Sequence, residues 1–265
     1  MANPLVSIIT PTCNRPAFLE RLHSYVRAQK YSNWEWRILD DSRSPNNVLS
    51  KLDNGNIIYE HTSDHLSIGE KRNRLIDTSK GKIIVHFDDD DFYGSQYIEV
   101  MIKIMEQNKA DFIRLSGFFV LSASLLKIGY YRIFLKEGPA YTFNSKSVKH
   151  VQLDDLNIPF IHLNYGWTYV YLKSVWEHCP FRDINTFEDR EFVLSARKSF
   201  DIKHFEDTFG MCCHTVHPTS SSQCFPQFLI PLFLAKRLNA EFTNYLDSAE
   251  KMAEFVSYKS AAQGG

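Results

Sequence analysis

The motifs that mark the commonest enzyme classes are missing from this chain. No GxGxxG follows a strand-like run, which excludes a nicotinamide or flavin fingerprint, and no GxxxxGK[ST] occurs, which excludes a P-loop. GxSxG and HExxH are absent, so neither a hydrolase nucleophile elbow nor a zincin helix is present. Cysteine is sparse: Cys13, Cys179, Cys212, Cys213 and Cys224 make an odd set of five with no CxxC spacing, which argues against a disulfide framework or a zinc ribbon. The adjacent Cys212 and Cys213 read as buried thiols, because sequence neighbours cannot easily share one tetrahedral site. A formal net charge of −1 gives no support for nucleic-acid binding driven by bulk charge. The longest apolar runs, Leu115–Leu126 and Phe225–Ala235, are too short and too interrupted to span a bilayer. The opening MANPLVSIITP lacks a basic segment ahead of its apolar run, so no secretory signal is expected. A reducing cytoplasmic compartment follows as the expectation. Repeats, low-complexity tracts and clean linkers are also absent.

What is present centres on Lys82–Tyr93, KIIVHFDDDDFY. Ile83, Ile84 and Val85 read as a strand buried on both faces. Asp88, Asp89, Asp90 and Asp91 follow directly, and ionising such a run is costly without a cation nearby. In an open α/β sheet ligands bind beyond the carboxyl ends of the strands. Hard oxygen donors at such an end suit Mg²⁺ or Mn²⁺. If the extended conformation persists, Asp88 and Asp90 share a side. An EF-hand loop is excluded, because Phe92 stands where a ligand is needed and Gly94 comes one place late.

Strand and helix alternate through the first 115 residues. Val6–Thr10 predicts a buried strand closed by Pro11, and Asn14 is expected to cap a helix with Pro16 in its first turn. Trp34–Leu39 predicts a second strand ending in Asp40 and Asp41, and Asn56–Tyr59 a third. Gly69–Thr78 predicts a helix carrying Lys71, Arg72 and Arg74. Ser95 is expected to cap a helix with Tyr97, Ile98, Met101, Ile102 and Met105 on one face. Asp111–Leu115 predicts another strand. The alternation implies an α/β fold, a mostly parallel sheet flanked by helices. Beyond Ser116 the chain becomes aromatic and β-prone. Gly166–Val175 is expected to be a strand and short turn, Asp189–Ser199 a helix, Phe225–Leu234 a core helix beside Lys236 and Arg237, and Ser260–Gly265 a frayed tail. Among the aromatic residues of the second half, Trp167 beside Gly166 is the candidate for a sugar-facing ring.

Taken as an ordered series, these stretches resemble family 2 glycosyltransferases of the GT-A fold. VSIITPTCNRPAFLERLHSYVRAQKYSNWEWRILDDS is similar to the family's first strand, helix and second strand. IGEKRNRLIDTSKGKIIVHFDDDDFY is similar to its basic helix leading into a DxD strand, FEDREFVLSARK to its acidic "ED" helix, and HTVHPTSSS to its late histidine-serine segment. The resemblance implies a Rossmann-like, mostly parallel sheet flanked by helices, with a smaller mixed acceptor-side sheet. It divides the chain into a nucleotide-sugar-binding half, residues 1–115, an acceptor-binding and catalytic half of the same domain, 116–225, and a C-terminal helical segment, 226–265.

The activity implied is inverting transfer of a sugar from a nucleotide-diphosphate donor, a UDP-sugar above others, to a hydroxyl of a glycan or other glycoconjugate, with Mn²⁺ or Mg²⁺. Pro11 and Thr12 would line the nucleotide pocket and Asp41 would meet the base, with Asp40 structural. Arg72 and Asn73 would sit near the nucleotide, with Asp88, by the ribose, and Asp89. Asp90 would hold the metal, with His217 a second candidate ligand that also reads as a capped loop or core histidine. Asp189 would be the general base, with Glu188 as the fallback on the acceptor side beside Gly166 and Trp167. The family often has Tyr and Arg where this chain has His214 and Thr215, so a cationic phosphate contact there is in doubt. Inversion needs a single displacement and one base, while an acid in the first turn of a helix is also what the helix dipole favours. Two other readings compete: a sugar-nucleotide nucleotidyltransferase, against which PTCNRP lacks the glycine-rich loop, and a non-catalytic carbohydrate-binding protein on a transferase fold, against which the acidic motifs are intact. A peripheral membrane contact through the apolar C-terminal stretch is open, as is the oligomeric state.

Overall fold

The computed structural model describes residues 3–47, 55–156, 161–218, 220 and 223–262, without side chains for 161 and 252–262. In chain order the elements are β1 (Val6–Thr12), α1 (Pro16–Arg27), β2 (Trp34–Asp40), β3 (Ile57–His61), α2 (Ile68–Asp77), β4 (Ile83–His86), β5 (Phe92–Tyr93), α3 (Tyr97–Asn108), β6 (Phe112–Ser122), β7 (Lys127–Arg132), β8 (Pro139–Phe143), β9 (Val148–Gln152), β10 (Val170–Leu172), α4 (Lys173–His178), α5 (Glu188–Ala196), β11 (Ile202–Glu206), β12 (Cys212–Val216), β13 (Phe228–Ile230), α6 (Leu232–Ala235) and α7 (Ala240–Ala262). They group into two compact units, Met1–Leu115 with Phe160–Phe205, and Ser116–Pro159 with Glu206–Gly265.

The first unit is built on β1, which pairs in parallel with β2 on one side and β4 on the other. β3 extends this parallel set beyond β2, while β10 runs antiparallel beside β4 and the start of β6 antiparallel beside β10. The parallel strands are apolar on both faces because helices cover both. Ile9, Leu39 and Ile84 face a core shared with Leu75 and Ile76 of α2 and Phe192, Val193 and Ala196 of α5. On the opposite side His23 of α1 stacks on Trp36, and Tyr97 of α3 meets Phe87 edge-on. Each such fully buried Leu, Ile or Phe contributes about 1.5–3 kcal/mol. The register sets Thr12 beside Asp40 and Ile9 beside His86, so β1, β2 and β4 all deliver their carboxyl ends to one edge.

In the second unit β6 and β7 form a long antiparallel pair from Gly117↔Arg132 to Ser122↔Lys127. β12 runs parallel to β6, and β13 lies antiparallel on β7. β8 and β9 form a separate two-stranded sheet. Phe242, Tyr245 and Leu246 anchor α7 in this unit, with Tyr245 sharing a hydrogen bond with Thr215. Cys212 and Cys213 are fully buried, as expected.

The mostly parallel, helix-flanked sheet agrees with the alternation in the sequence; several local expectations do not hold. β1 continues through Pro11 to Thr12. The N-cap of α1 is Arg15, without a side-chain cap, because Asn14 takes φ 55° and its side chain accepts from the Arg43 amide instead. α3 starts from Gln96 rather than from a Ser95 cap. α2 does carry a side-chain cap that its sequence allows, Ser67 accepting from the Glu70 amide at 3.0 Å. Gly166–Val175 is a single 3₁₀ turn, a three-residue strand and the start of α4 rather than one strand. Phe225–Leu234 is not a core helix. Pro226 and Pro231 divide it, and its first part is extended, bonding β8 through Tyr141 N–H to Pro226 O. The expected tail from Ser260 is helical as far as Ala262, and the rest lies outside the described residues.

Candidate functional site

At the carboxyl edge of the first unit the acids at the end of β2 divide their work. Asp40 is consumed by the fold: Oδ1 accepts from the Ser42 amide and hydroxyl, and Oδ2 from the Tyr59 hydroxyl. Asp41 faces Lys71 of α2, whose Nζ lies 2.8 Å from Oδ1 and 3.2 Å from the carbonyl of Thr12. Its Oδ2 accepts from the Leu66 amide at 3.1 Å, with His65 Nδ1 at 3.4 Å. Burial pushes the Asp41 carboxyl up, but hydrogen bonds from Lys71 and Leu66 and the lysine charge outweigh it and hold the group below its usual range. Lys71 is therefore a buried partner rather than part of a solvated helix face. A cleft of about 430 Å³ opens beside this edge, lined by Asn14, Pro16, Asp40, Ser42, Arg43 and Asn46.

The extended conformation of β4 ends at His86, and Asp89 and Asp90 sit in a turn. Asp88 and Asp90 consequently do not share one pleated side, and the acids meet different cations. Arg15, just ahead of α1, places Nη1 2.9 Å from both Asp89 Oδ1 and Asp90 Oδ2. Asp89 also accepts from the Thr12 hydroxyl at 2.6 Å. Burial and the neighbouring Asp90 charge push the Asp89 carboxyl upward, against the pull of Arg15 and Thr12. Asp88 keeps its side chain 31% exposed and leans on Arg72 at 3.4 Å.

Arg72 is the hinge of the arrangement. Its guanidinium, 4% exposed, reaches Asp88 of the acidic turn through Nη2 and Glu188 at the start of α5 through Nη1, at 2.6 Å. Burial, and after it the Asp189 charge, raises the Glu188 carboxyl against the lowering effect of Arg72. Asp189 sits one residue inside α5. Its Oδ2 accepts from the Gly166 amide at 2.9 Å and its Oδ1 from the Arg190 amide at 2.7 Å. A side chain at position 166 would meet Asp189 Cβ at 2.8 Å and Arg72 Nη1 at 3.2 Å, so the close approach depends on glycine. Behind this loop Arg114, fully buried on β6, donates to the carbonyls of His162, Leu163 and Asn164. The Tyr169 hydroxyl bonds the Leu163 carbonyl as well.

Among the other expected site residues, Trp167 and Asn73 are engaged within the fold. Trp167 is 2% exposed and edge-on to Tyr93, so its ring face is taken by the core and is not offered to a sugar. Asn73 accepts from Trp176 Nε1 and the Phe181 amide and donates to the Phe181 carbonyl, tying α2 to the chain after α4. Pro11 is half-buried beside Leu39. His217 belongs to the second unit, where it is buried with its amide on the Ser220 hydroxyl. Arg15 and Arg114 are not singled out by any motif. The signals for them are plain charge placement: a cation at a helix start facing the acidic edge, and a lone arginine inside the apolar run FIRLSGFFVL.

The acidic turn suits a hard divalent ion of a particular kind. Its donors are all carboxylate oxygens, and Asp88 is open to solvent. Among the described residues the group close enough to hold a metal by itself is Cys13, Asp41 and His65, within 4.8 Å of one another. That mixed set is soft and already engaged by Lys71. The turn therefore fits an ion that takes one or two carboxylates from the protein and the rest of its ligands from a diphosphate, the usual habit of Mg²⁺.

Comparison with known proteins agrees with this fold. The chain is 32% identical over 109 residues to the putative colanic acid biosynthesis glycosyl transferase WcaA of Escherichia coli (strain K12), 40% of this chain and 39% of that one. It is 29% identical over 115 residues to the E. coli UDP-Glc:alpha-D-GlcNAc-diphosphoundecaprenol beta-1,3-glucosyltransferase WfgD, 43% of this chain and 46% of that one. These matches therefore span less than half the length of the curated relatives. Among solved structures, S. aureus TarS 1-349 in complex with UDP-GlcNAc superposes with a TM-score of 0.60 at 16% identity, over 81% of this chain and 59% of that one. The mannosyltransferase PcManGT from Pyrobaculum calidifontis, in complex with GDP-Man and Mn²⁺, gives 0.58 at 12% identity, over 83% and 59%. At these identities the two structures speak for the fold. The model of glycosyl transferase family 2 matches residues 7–160, more than half of the chain, and the chain belongs to that family.

Proposed function

We propose that the protein transfers a sugar from a UDP-sugar to a hydroxyl of a glycan carried on a lipid diphosphate, in one inverting displacement that depends on a divalent metal. The observation that carries the proposal is the Arg72 clamp, which brings the donor-side acid Asp88 and the start of the acidic helix, Glu188 and Asp189, around one guanidinium. A uridine donor is favoured by the UDP-GlcNAc complex of TarS and by the UDP-Glc in the name of WfgD. The lipid diphosphate carrier rests on the diphosphoundecaprenol in the same name.

In this reading Asp41, oriented by Lys71, accepts a hydrogen bond from the base, with Pro11 and Thr12 lining the nucleotide pocket. Asp88 holds the ribose end, and Asp90, with Asp88 beside it, would hold Mn²⁺ or Mg²⁺. A bound ion there supplies positive charge to the leaving diphosphate. Asp189 takes the proton from the acceptor hydroxyl as that oxygen bonds to the anomeric carbon and the bond to the diphosphate breaks. The Gly166 and Arg190 amides fix the carboxylate's direction and leave each oxygen a further lone pair. Glu188 acts as the strut that holds Arg72. A positioned base contributes about a hundred- to ten-thousand-fold to rate. Asp189→Asn should therefore lose turnover by about that factor while UDP binding, measured by calorimetry, stays near wild type. Near-normal turnover with a lower melting temperature would make Asp189 a helix-start acid and nothing more. Chelator should abolish turnover and added Mn²⁺ restore it; full activity in chelator would remove the metal from the reading.

A further inference from the structure

Eight of the nine large apolar side chains exposed among the described residues belong to the second unit. They are not scattered. Phe228 and Leu229 lie on β13, the outer strand beyond β7, and Phe233 and Leu234 lie on α6, which follows at once. Phe134 and Leu135 form the turn after β7. Gln227 joins the two stretches, accepting from the Arg132 amide at 2.8 Å and donating to the Arg132 carbonyl at 3.1 Å. Leu238 continues the surface, and Asn239 beside it pins the Phe209 loop by donating to the carbonyls of Phe209 and Gly210. Exposed apolar side chains concentrated in a few adjoining stretches of a folded protein mark a contact site.

Within the two stretches that carry most of these side chains, cations outnumber acids. Residues 127–137 and 225–238 contain Lys127, Arg132, Lys136, Lys236 and Arg237 against the single acid Glu137, in a chain whose net charge is −1. Arg132 is paired with Glu206, and Lys236 with Asp247 and Glu250. Lys127, Lys136 and Arg237 are exposed and form no ion pair among the described residues.

We infer that this surface docks on an anionic lipid bilayer, with the aromatic and leucine side chains entering the headgroup boundary and the three cations at its rim. The charge decides between occupants. In a twofold dimer a surface meets its own copy, which sets like charges together, and a three-residue edge strand ahead of Pro231 offers little register for pairing with a second chain. An anionic surface complements the same cations, each raising affinity about fivefold. No helix among the described residues is long and apolar enough to cross a membrane, so the contact lies on the bilayer. The inference deepens the proposed function by placing the enzyme where a lipid-carried acceptor would be, but the surface itself does not depend on that reading.

Vesicle co-sedimentation of the full chain tests it, using phosphatidylcholine with and without phosphatidylglycerol. The wild type should bind the anionic vesicles and release them in high salt. Phe233→Glu combined with Leu234→Glu should cut the vesicle-bound fraction by at least about tenfold, with the melting temperature and UDP binding unchanged. Lys136→Ala and Arg237→Ala should each lower anionic-vesicle affinity by about fivefold. Equal binding to both vesicle types, or wild-type binding by the double glutamate variant, would overturn the inference. A wild-type dimer in sedimentation velocity that this variant converts to monomer would overturn it too, by making the surface an interface between copies. A wild type that binds vesicles but not UDP would break the transferase reading and leave this one standing.

Discussion

In the first unit Arg15, Lys71 and Arg72 are each locked onto buried carboxylates, and among the described residues the surface exposes one large apolar side chain, Phe187. The second unit shows the reverse. Its fully buried Asp207 has no paired cation among the described residues and is met by the amides of Phe209, Met211 and Cys212 and the thiol of Cys212, while aromatic and leucine side chains stand in solvent along β13 and α6. Pairing charges inside a dry edge fixes side-chain directions, which the proposed chemistry needs. Leaving apolar surface uncovered costs solubility and makes sense only as a contact. Under the two proposals above, chemistry belongs to one unit and docking to the other.

The comparison breaks most visibly at Arg72. Removing one partner of a buried pair leaves the other charge stranded, at a cost of about 3–5 kcal/mol. Arg72→Met should therefore lower the melting temperature sharply and abolish turnover, read by calorimetry and by UDP release. A stable, active variant would mean that the clamp holds nothing together. Asp41→Ala should lower the melting temperature too, since it strands the buried Lys71 charge, and should weaken UDP binding by about tenfold as a buried hydrogen bond to the base is lost. A guanosine sugar that binds better than every uridine sugar would instead contradict the donor assignment. Arg15→Gln should cost less than Arg72→Met, about 1–2 kcal/mol, because Arg15 is 27% exposed and Asp89 is already raised by its surroundings.

The smallest effect belongs to the second unit. Burial raises Asp207 from 3.8 to about 6, against the lowering effect of its amide donors. A carboxyl with a raised folded pKa favours the protonated state on folding. Its contribution is complete below about pH 4 and is lost as pH rises through about 6. Asp207→Asn should flatten the dependence of the melting temperature on pH across that window. An unchanged slope would mean that the Asp207 charge is compensated after all.

How much of this was legible in the sequence follows from the range of the interactions. β1, β2 and β4 and the acids at their ends could be read directly, since a buried strand ending in carboxylates is a local pattern. The pairing of those acids could not, because the partners of Asp89 and Glu188 lie 74 and 116 residues away in the chain. The placement of Trp167 is hidden for the same reason: a tryptophan beside a glycine suits a sugar face or a core equally, and Tyr93 decides which. At Phe225–Leu234 apolar character suggested a helix, yet Pro226 and Pro231 were visible and the extended backbone between them follows from proline stereochemistry.

Arg114 holds the loop ahead of Gly166 by three carbonyl oxygens and no side chain. Such a grip is indifferent to what residues 162 and 164 are, since every amino acid brings the same carbonyl. The loop that sets the direction of Asp189 can thus exchange His162 and Asn164, both partly open to solvent, without losing its place. A buried guanidinium of this kind separates where a loop sits from what it displays, which lets the displayed side chains drift while the direction of Asp189 stays fixed.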